Sequence, residues 1–318
     1  MDEFLIKKAQ SRISYDINQI KNDNKIKASL PKPRTITEVS IERIAEKELE
    51  KIAPSTGYPD LDKIIKGFIP GHLYTLTGNE NVGKTSLACN FAVRVSKQGK
   101  KVLYLALEPS NVVVDYLASV RFDKKFEDLT EEELSFDDGN IHVYGKEEIS
   151  KIDDLVKIIQ HSERYDIVII DHLGYFVSGE NQNIFQEQGN VIKKLAGLAR
   201  FKKTAIIMIA HLRKPPSGAR KNYVPTSNDI SGSGAFKQDS TEVMIVVRNI
   251  ENPEADGLEY AADGNLFVTK TKSGPNGFIK LIFGERKANI VSSGELIQQN
   301  RDLQTQAGYK LIDEDKKW

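Results

Sequence analysis

The chain has 318 residues with 45 Lys+Arg against 45 Asp+Glu, a formal net charge of zero that excludes a globally basic surface; any nucleic-acid contact has to be local, on a strip or a loop. A single cysteine excludes a disulfide framework, no apolar run approaches the ~18 residues of a membrane span, and MDEFLIKKAQ lacks the basic-then-apolar order of a signal peptide. The expectation is a soluble protein of a reducing interior, cytoplasmic or in an organelle matrix or viral host compartment, with no membrane partner. The length fits one large α/β unit with an N-terminal appendage.

Over residues 1–28, Ile6, Ala9, Ile13, Ile17 and Ile20 recur at helical spacing and predict an amphipathic helix that needs a partner surface. From Met1 to Arg34 there are eight Lys/Arg and four Asp/Glu, an excess that a solvated helix face explains more simply than nucleic-acid contact. Pro31 and Pro33 break the chain, residues 29–36 form a linker, and Thr37 is the expected cap of a short helix carrying Ile41, Ile44, Leu49 and Ile52. Residues 1–54 are thus an N-terminal helical segment.

From Ser55 short β-rich apolar runs alternate with helix-like segments, the pattern of a mostly parallel sheet with helices on both faces. Strands are expected at 73–77, 101–107, 141–144, 166–170, 204–210, 242–247, 265–270 and 278–283, and helices at 84–98, 110–120, 151–162 and 186–201. Cys89 falls in the first of those helices beside Ala88 and Phe91, as a buried small hydrophobe would. The α/β domain is placed at 55–290 and a polar tail at 291–318. Ligands of such sheets bind at the carboxyl ends of the strands, so the residues just past each run carry the chemistry.

Gly78-Asn79-Glu80-Asn81-Val82-Gly83-Lys84-Thr85 spell G-x-x-x-x-G-K-[ST] between a strand and a helix. The glycines let successive backbone N–H groups turn toward phosphate oxygens while the helix aims its positive end at the same charge. Residues Gly78 to Ser86 are therefore the expected cradle for ATP or another NTP, with Lys84 on the β- and γ-phosphates and Thr85 on Mg²⁺. Glu108 ends the second strand, where a carboxylate can orient or deprotonate the attacking water, although an isolated strand-end glutamate is as readily a solvated surface group. Asp171 ends the unbroken run Ile167-Val168-Ile169-Ile170 and is the expected carboxylate for Mg²⁺. His211 ends another strand, with structural and functional readings evenly balanced. Beyond it, Arg213, Lys214, Arg220 and Lys221 occupy a Pro- and Gly-containing segment without an acid, suited to phosphate contacts or simply to an exposed loop.

In this order and spacing the motifs resemble the RecA-like ATPase domain of hexameric DnaB-family replicative helicases, closest to the branch of phage primase-helicases and mitochondrial Twinkle. The resemblance runs from about Ser55 to Phe283. Thr56-Gly57-Tyr58-Pro59-Asp60-Leu61-Asp62 with Gly67-Phe68-Ile69-Pro70-Gly71 is similar to the family's entry segment, Leu107-Glu108 to its catalytic-glutamate strand, and Asp171-His172-Leu173 to the phage form of its Walker B end. His211 to Pro215 resembles the sensor histidine with its DNA-binding loop, and Ser231 to Ser240 resembles a stretch whose Gln238, with Arg248 following, implies DNA contact. Lys270 to Gly277 resembles the segment that reaches into the neighbouring subunit's nucleotide site, with Lys272 where an arginine finger usually stands and Lys270 beside it.

The resemblance implies an ATP-hydrolysing DNA helicase of replication that forms a homo-oligomer, a hexamer, on single-stranded DNA. It implies a motor without a primase domain, a linker helix at 37–52 that packs on an adjacent subunit, and an acidic tail able to dock a polymerase, primase or single-strand-binding protein. Two other readings share the core: a RecA/RadA- or KaiC-like ATPase, and a slow-turnover scaffold that binds nucleotide and DNA.

Overall fold

The computed structural model describes residues 34–107, 110–135, 139–174, 184–212, 225–230, 233–252, 259–284 and 288–297. The helix expected within 1–28 and the tail's acidic end lie outside these residues. The chain divides into two compact units, Met1–Glu48 and Leu49–Trp318, so the larger one begins six residues before the expected boundary at 55. Helix α1, Ile36–Lys51, buries none of its residues. It is capped by Thr35 rather than Thr37: Glu38 N donates to Thr35 Oγ1 at 3.2 Å and Thr35 N donates to Glu38 Oε2 at 2.7 Å. The reciprocal box needs a carboxylate three residues after the cap, which Thr35 has and Thr37, facing Ser40, lacks.

The larger unit holds a nine-stranded sheet in the order β3-β2-β4-β5-β1-β6-β7-β8-β9. Its strands are β1 Leu73–Gly78, β2 Val102–Ala106, β3 Ile141–Gly145, β4 Ile167–Asp171, β5 Ala205–His211, β6 Glu242–Asn252, β7 Glu259–Lys270, β8 Gly277–Phe283 and β9 Ile290–Ser292. All eight expected strands are present. β1 to β6 pair in parallel, and β7, β8 and β9 return antiparallel along one side. The helices are α2 Pro59–Ile65, α3 Lys84–Ser96, α4 Ser110–Phe122, α5 Glu131–Leu134, α6 Ile152–His161, α7 Ile184–Lys202 and α8 Ser233–Asp239.

β2, β4 and β5 are apolar on both faces up to the strand-end Asp171 and His211, as a sheet covered on both sides requires. Tyr104, Ile169 and Ile207 point to one core with Leu87 and Phe91 of α3 and Val113 and Leu117 of α4. Their neighbours Leu103, Val168 and Ile206 point to the other, with Leu155 of α6, Leu195 of α7 and Phe236 of α8. The entry segment is a structural clamp: Asp62 Oδ1 accepts from Thr56 N at 2.9 Å, and Phe91 packs edge-to-face on Tyr58 and Phe68, centroids 5.7 and 5.1 Å away. Arg94 lies 4.3 Å from the Tyr58 ring centroid and donates to Gly57 O, Ile290 O and Glu295 Oε1, each at 2.9 Å. These bonds tie Ile290 and Glu295 to the entry segment.

Three departures from the expected elements have local causes. β9 has three residues, too few to show a period. The four residues of α5 are set by a Thr130–Glu133 capping box, not an apolar stripe. β7 begins at Glu259 and not at 265 because Asp263-Gly264, a turn signal in sequence, continues the strand. A Cβ on Gly264 would lie 2.6 Å from Arg248 Cγ and 3.1 Å from Phe283 Cε2, so glycine there makes room for both side chains.

Candidate nucleotide site

Because β1 to β6 run the same way, their carboxyl ends meet along one edge. Gly78 of β1 lies opposite His211 of β5 and Val246 of β6, and Ala106 of β2 lies opposite Asp171 of β4. The loop between Gly78 and α3 turns through Asn81 at φ 56° and Gly83 at φ 100°. Only glycine fits at two points in it: a Cβ on Gly78 would sit 2.7 Å from Val246 O, and one on Gly83 would sit 2.8 Å from Phe283 Cε1. Lys84 is buried at 7% exposure and Nζ donates to Gly78 O at 3.2 Å and Asn79 O at 2.7 Å, so its ammonium lies across the loop.

A cavity of about 980 Å³ opens over this loop. Glu80, Asn81, Gly83, Lys84, Thr85 and Ser86 line it, with Asp171 and His211 from the adjoining strand ends. Gly78 and Asn79 contribute the carbonyls under Lys84, while Val82 is buried at 1% as the loop's apolar anchor. Asp171 is 1% exposed and its Oδ2 accepts from Tyr104 Oη at 2.9 Å. Burial, with the Asp171 charge beside it, pushes the Tyr104 phenol well above its ordinary range, so it stays protonated and donates. The rings of His172 and His211 stand edge-to-face with centroids 4.4 Å apart.

The far wall was not foreseen from sequence. The guanidinium of Arg248 stacks 4.1 Å from the Phe283 ring centroid and 5.5 Å from that of Tyr260. Arg248 Nε donates to Ala261 O at 2.8 Å, and Tyr260 Oη donates to Glu80 O at 2.9 Å, which ties this wall to the phosphate loop. Arg248, expected at DNA, therefore lines the nucleotide cavity. The Asp-Gly pair inside an apolar β run was the available signal, since a strand glycine marks close approach of other groups.

Glu108 lies outside the described residues, as do Arg213, Lys214, Arg220 and Lys221. Leu107 N donates to Asp171 O at 2.7 Å, which sets Leu107, the last described residue before Glu108, beside the β4 end. Gln238 is exposed on α8, which leads into the start of β6. Lys270 and Lys272 are not brought to this cavity. Lys270 pairs with Val243 near the start of β6, whereas Gly78 pairs with Val246. That is about 10 Å along the sheet and two strand spacings of about 4.8 Å across it, with Lys272 farther on.

Strand, phosphate loop and helix, with Asp171 and His211 on adjacent strand ends, define a RecA-like P-loop NTPase domain. Residues 54–292 match the family described as DnaB-like helicase C terminal domain, and the chain belongs to that family. It is similar to a probable plasmid replicative DNA helicase of Chlamydia muridarum, 25% identical over 240 residues that make up 69% of this chain and 52% of the relative. It is also similar to the replicative DNA helicase DnaB of Mycoplasma genitalium, 25% identical over 279 residues, 80% of this chain and 59% of the relative. The chain therefore spans a little over half the length of these curated relatives. Among solved structures, that of a DnaB-like replicative helicase and its interactions with primase aligns with a TM-score of 0.66 at 19% identity, over 89% of this chain and 76% of the other. A solved ATPase domain aligns with a TM-score of 0.66 at 19% identity over 82% of this chain and 99% of its own length. Both are likenesses of fold.

Proposed function

We propose that this chain is the motor of an ATP-driven ring helicase that moves on single-stranded DNA and unwinds duplex during replication, working as a hexamer with nucleotide bound between subunits. The observation that carries the reading is the separation of the P-loop from Lys270 and Lys272 at opposite edges of one sheet. Phosphate held by Lys84 in one subunit can meet those lysines only from another copy, and a head-to-tail contact of this kind closes into a ring when the rotation relating the copies allows it.

The residues present fit a nucleotide with Mg²⁺. The loop amides and Lys84 hold the phosphates, Thr85 and Asp171 would hold the metal, and the Arg248–Phe283 stack supplies a planar surface against which a base can lie. Held there, Mg²⁺ would neutralise negative charge on the phosphates. Glu108 orients the attacking water, and His211 follows the γ-phosphate and moves the segment carrying Arg213, Lys214, Arg220 and Lys221 against the DNA backbone. Gln238 belongs to the same DNA-facing group. Phosphate contacts carry no sequence information, so tracking is sequence-independent. Lys272 brings positive charge to the neighbouring site but without the two-pronged geometry of arginine. Ile41 and Ile44 of α1 are the surface that docks on the adjacent copy, and the acidic tail docks a polymerase, primase or single-strand-binding protein. The working compartment is the cytoplasm or its viral or organellar equivalent.

Mass measurement with single-stranded DNA and a non-hydrolysable analogue, beside unwinding of a forked duplex, tests the reading. A hexamer whose hydrolysis is stimulated by DNA and which unwinds the fork supports it. A monomer that hydrolyses without DNA or unwinding overturns it.

A further inference from the structure

At the sheet edge opposite the nucleotide lies a buried carboxylate that the proposed cycle does not use. Glu242, the first residue of β6, is fully buried at 0% exposure. Its Oε1 lies 3.2 Å from Nδ1 of His72, at the entrance to β1, and accepts from Ser273 Oγ at 3.4 Å in the turn that follows β7. That turn carries the lysines. Ser273 N donates to Thr271 Oγ1 at 3.0 Å and Asn276 Nδ2 donates to Thr269 O at 2.9 Å, which closes the turn around Lys272. At its exit a Cβ on Gly277 would lie 3.0 Å from Ile64 Cδ1, so the turn also rests on α2. Lys270 Nζ donates to Ser240 O, two residues before Glu242.

We propose that Glu242, seated on His72, is a positioning residue that fixes the turn bearing Lys270 and Lys272 and so sets the charge one subunit delivers to the next. The proposal rests on the reading that these lysines act in trans. Packing does not account for Glu242: its Oε2 is buried and has no hydrogen-bond partner among the described residues, which is an unfavourable way to fill a core position. A side chain that accepts from Ser273 and so holds the turn bearing two lysines does account for it. Burial and the Lys272 charge push the Lys270 ammonium pKa down, and Glu242 and Asp239 oppose that shift. Glu242 thus anchors the turn through Ser273.

The test is single-turnover, DNA-stimulated hydrolysis by the full chain in five forms: parent, Glu242→Gln, Ser273→Ala, Lys272→Ala and the Glu242→Gln/Lys272→Ala double. Glu242→Gln is expected to slow hydrolysis about tenfold, with half-saturating nucleotide within about twofold of the parent and Tm unchanged or raised. Added to Lys272→Ala, it is expected to slow hydrolysis no further. Ser273→Ala, in the half-buried turn, is expected to slow it about threefold and keeps the proposal falsifiable should the buried substitution prevent folding. The same factor for Glu242→Gln in both backgrounds, or a lower Tm with an unchanged rate, overturns the role of Glu242 while the trans reading stands. A Lys272→Ala protein at the parent rate overturns the trans reading, and this inference falls with it.

Discussion

The two edges of the sheet differ in how completely each carries its chemistry. At the carboxyl edge, Asp171, His211 and the loop after Gly78 follow three consecutive strands of the sheet order, β4, β5 and β1, and with Lys84 of α3 they converge on one cavity. At the amino edge, Lys270 and Lys272 stand on a turn with Glu242 and Ser273 beneath them and no phosphate loop of their own. On the proposed reading, one edge is the binding site and the other is a projection that completes a site in another copy. A molecule that needs both edges for a single event has to bring two copies together, and the rotation relating them decides whether the result is a ring.

Substitutions at the two edges should therefore fail in different ways. Lys84→Ala is expected to have the largest effect, lowering hydrolysis at least about 10³-fold and removing the rise in Tm that nucleotide gives the parent. Nucleotide-dependent thermal shift beside a phosphate-release assay measures both. Lys272→Ala is expected to cut hydrolysis about 10²-fold while leaving that thermal shift in place, because binding belongs to the opposite edge. Phe283→Ala removes the surface under Arg248 and is expected to weaken nucleotide binding about tenfold, read by titration with a fluorescent analogue, with a smaller change in kcat. Tyr104→Phe removes one donor to a buried carboxylate. At ~1 kcal/mol for such a bond it should raise the Mg²⁺ needed for half-maximal nucleotide affinity about fivefold.

The same contrast separates what was legible in the sequence. Gly78 to Thr85 carry their chemistry as local spacing, and Asp171 and His211 each follow an unbroken apolar run, so strand ends and their residues could be located without coordinates. Parallel strands buried on both faces give such runs because every position is apolar. The wall of Arg248, Tyr260 and Phe283 could not be read that way. It depends on β7 and β8 folding back beside β6 and on Gly264 clearing space between two strands, a long-range arrangement whose local trace resembles a turn. Glu242 was equally hidden, because a carboxylate opening a strand looks like a solvated residue until its 0% exposure is seen. Thr35 displaced Thr37 as the cap of α1 for a reason present in the sequence, the spacing to Glu38.

The central claim is that each active site takes its phosphate loop from one subunit and its lysines from the next. Mixing Lys84→Ala subunits with Lys272→Ala subunits, each nearly inactive alone, tests it most directly. In equal mixture, random assembly should give parental interfaces at roughly a quarter of positions, so DNA-stimulated hydrolysis should recover to about a quarter of the parent rate. A mixture no more active than the sum of its two parts, under conditions where the subunits are shown to exchange, would contradict the account.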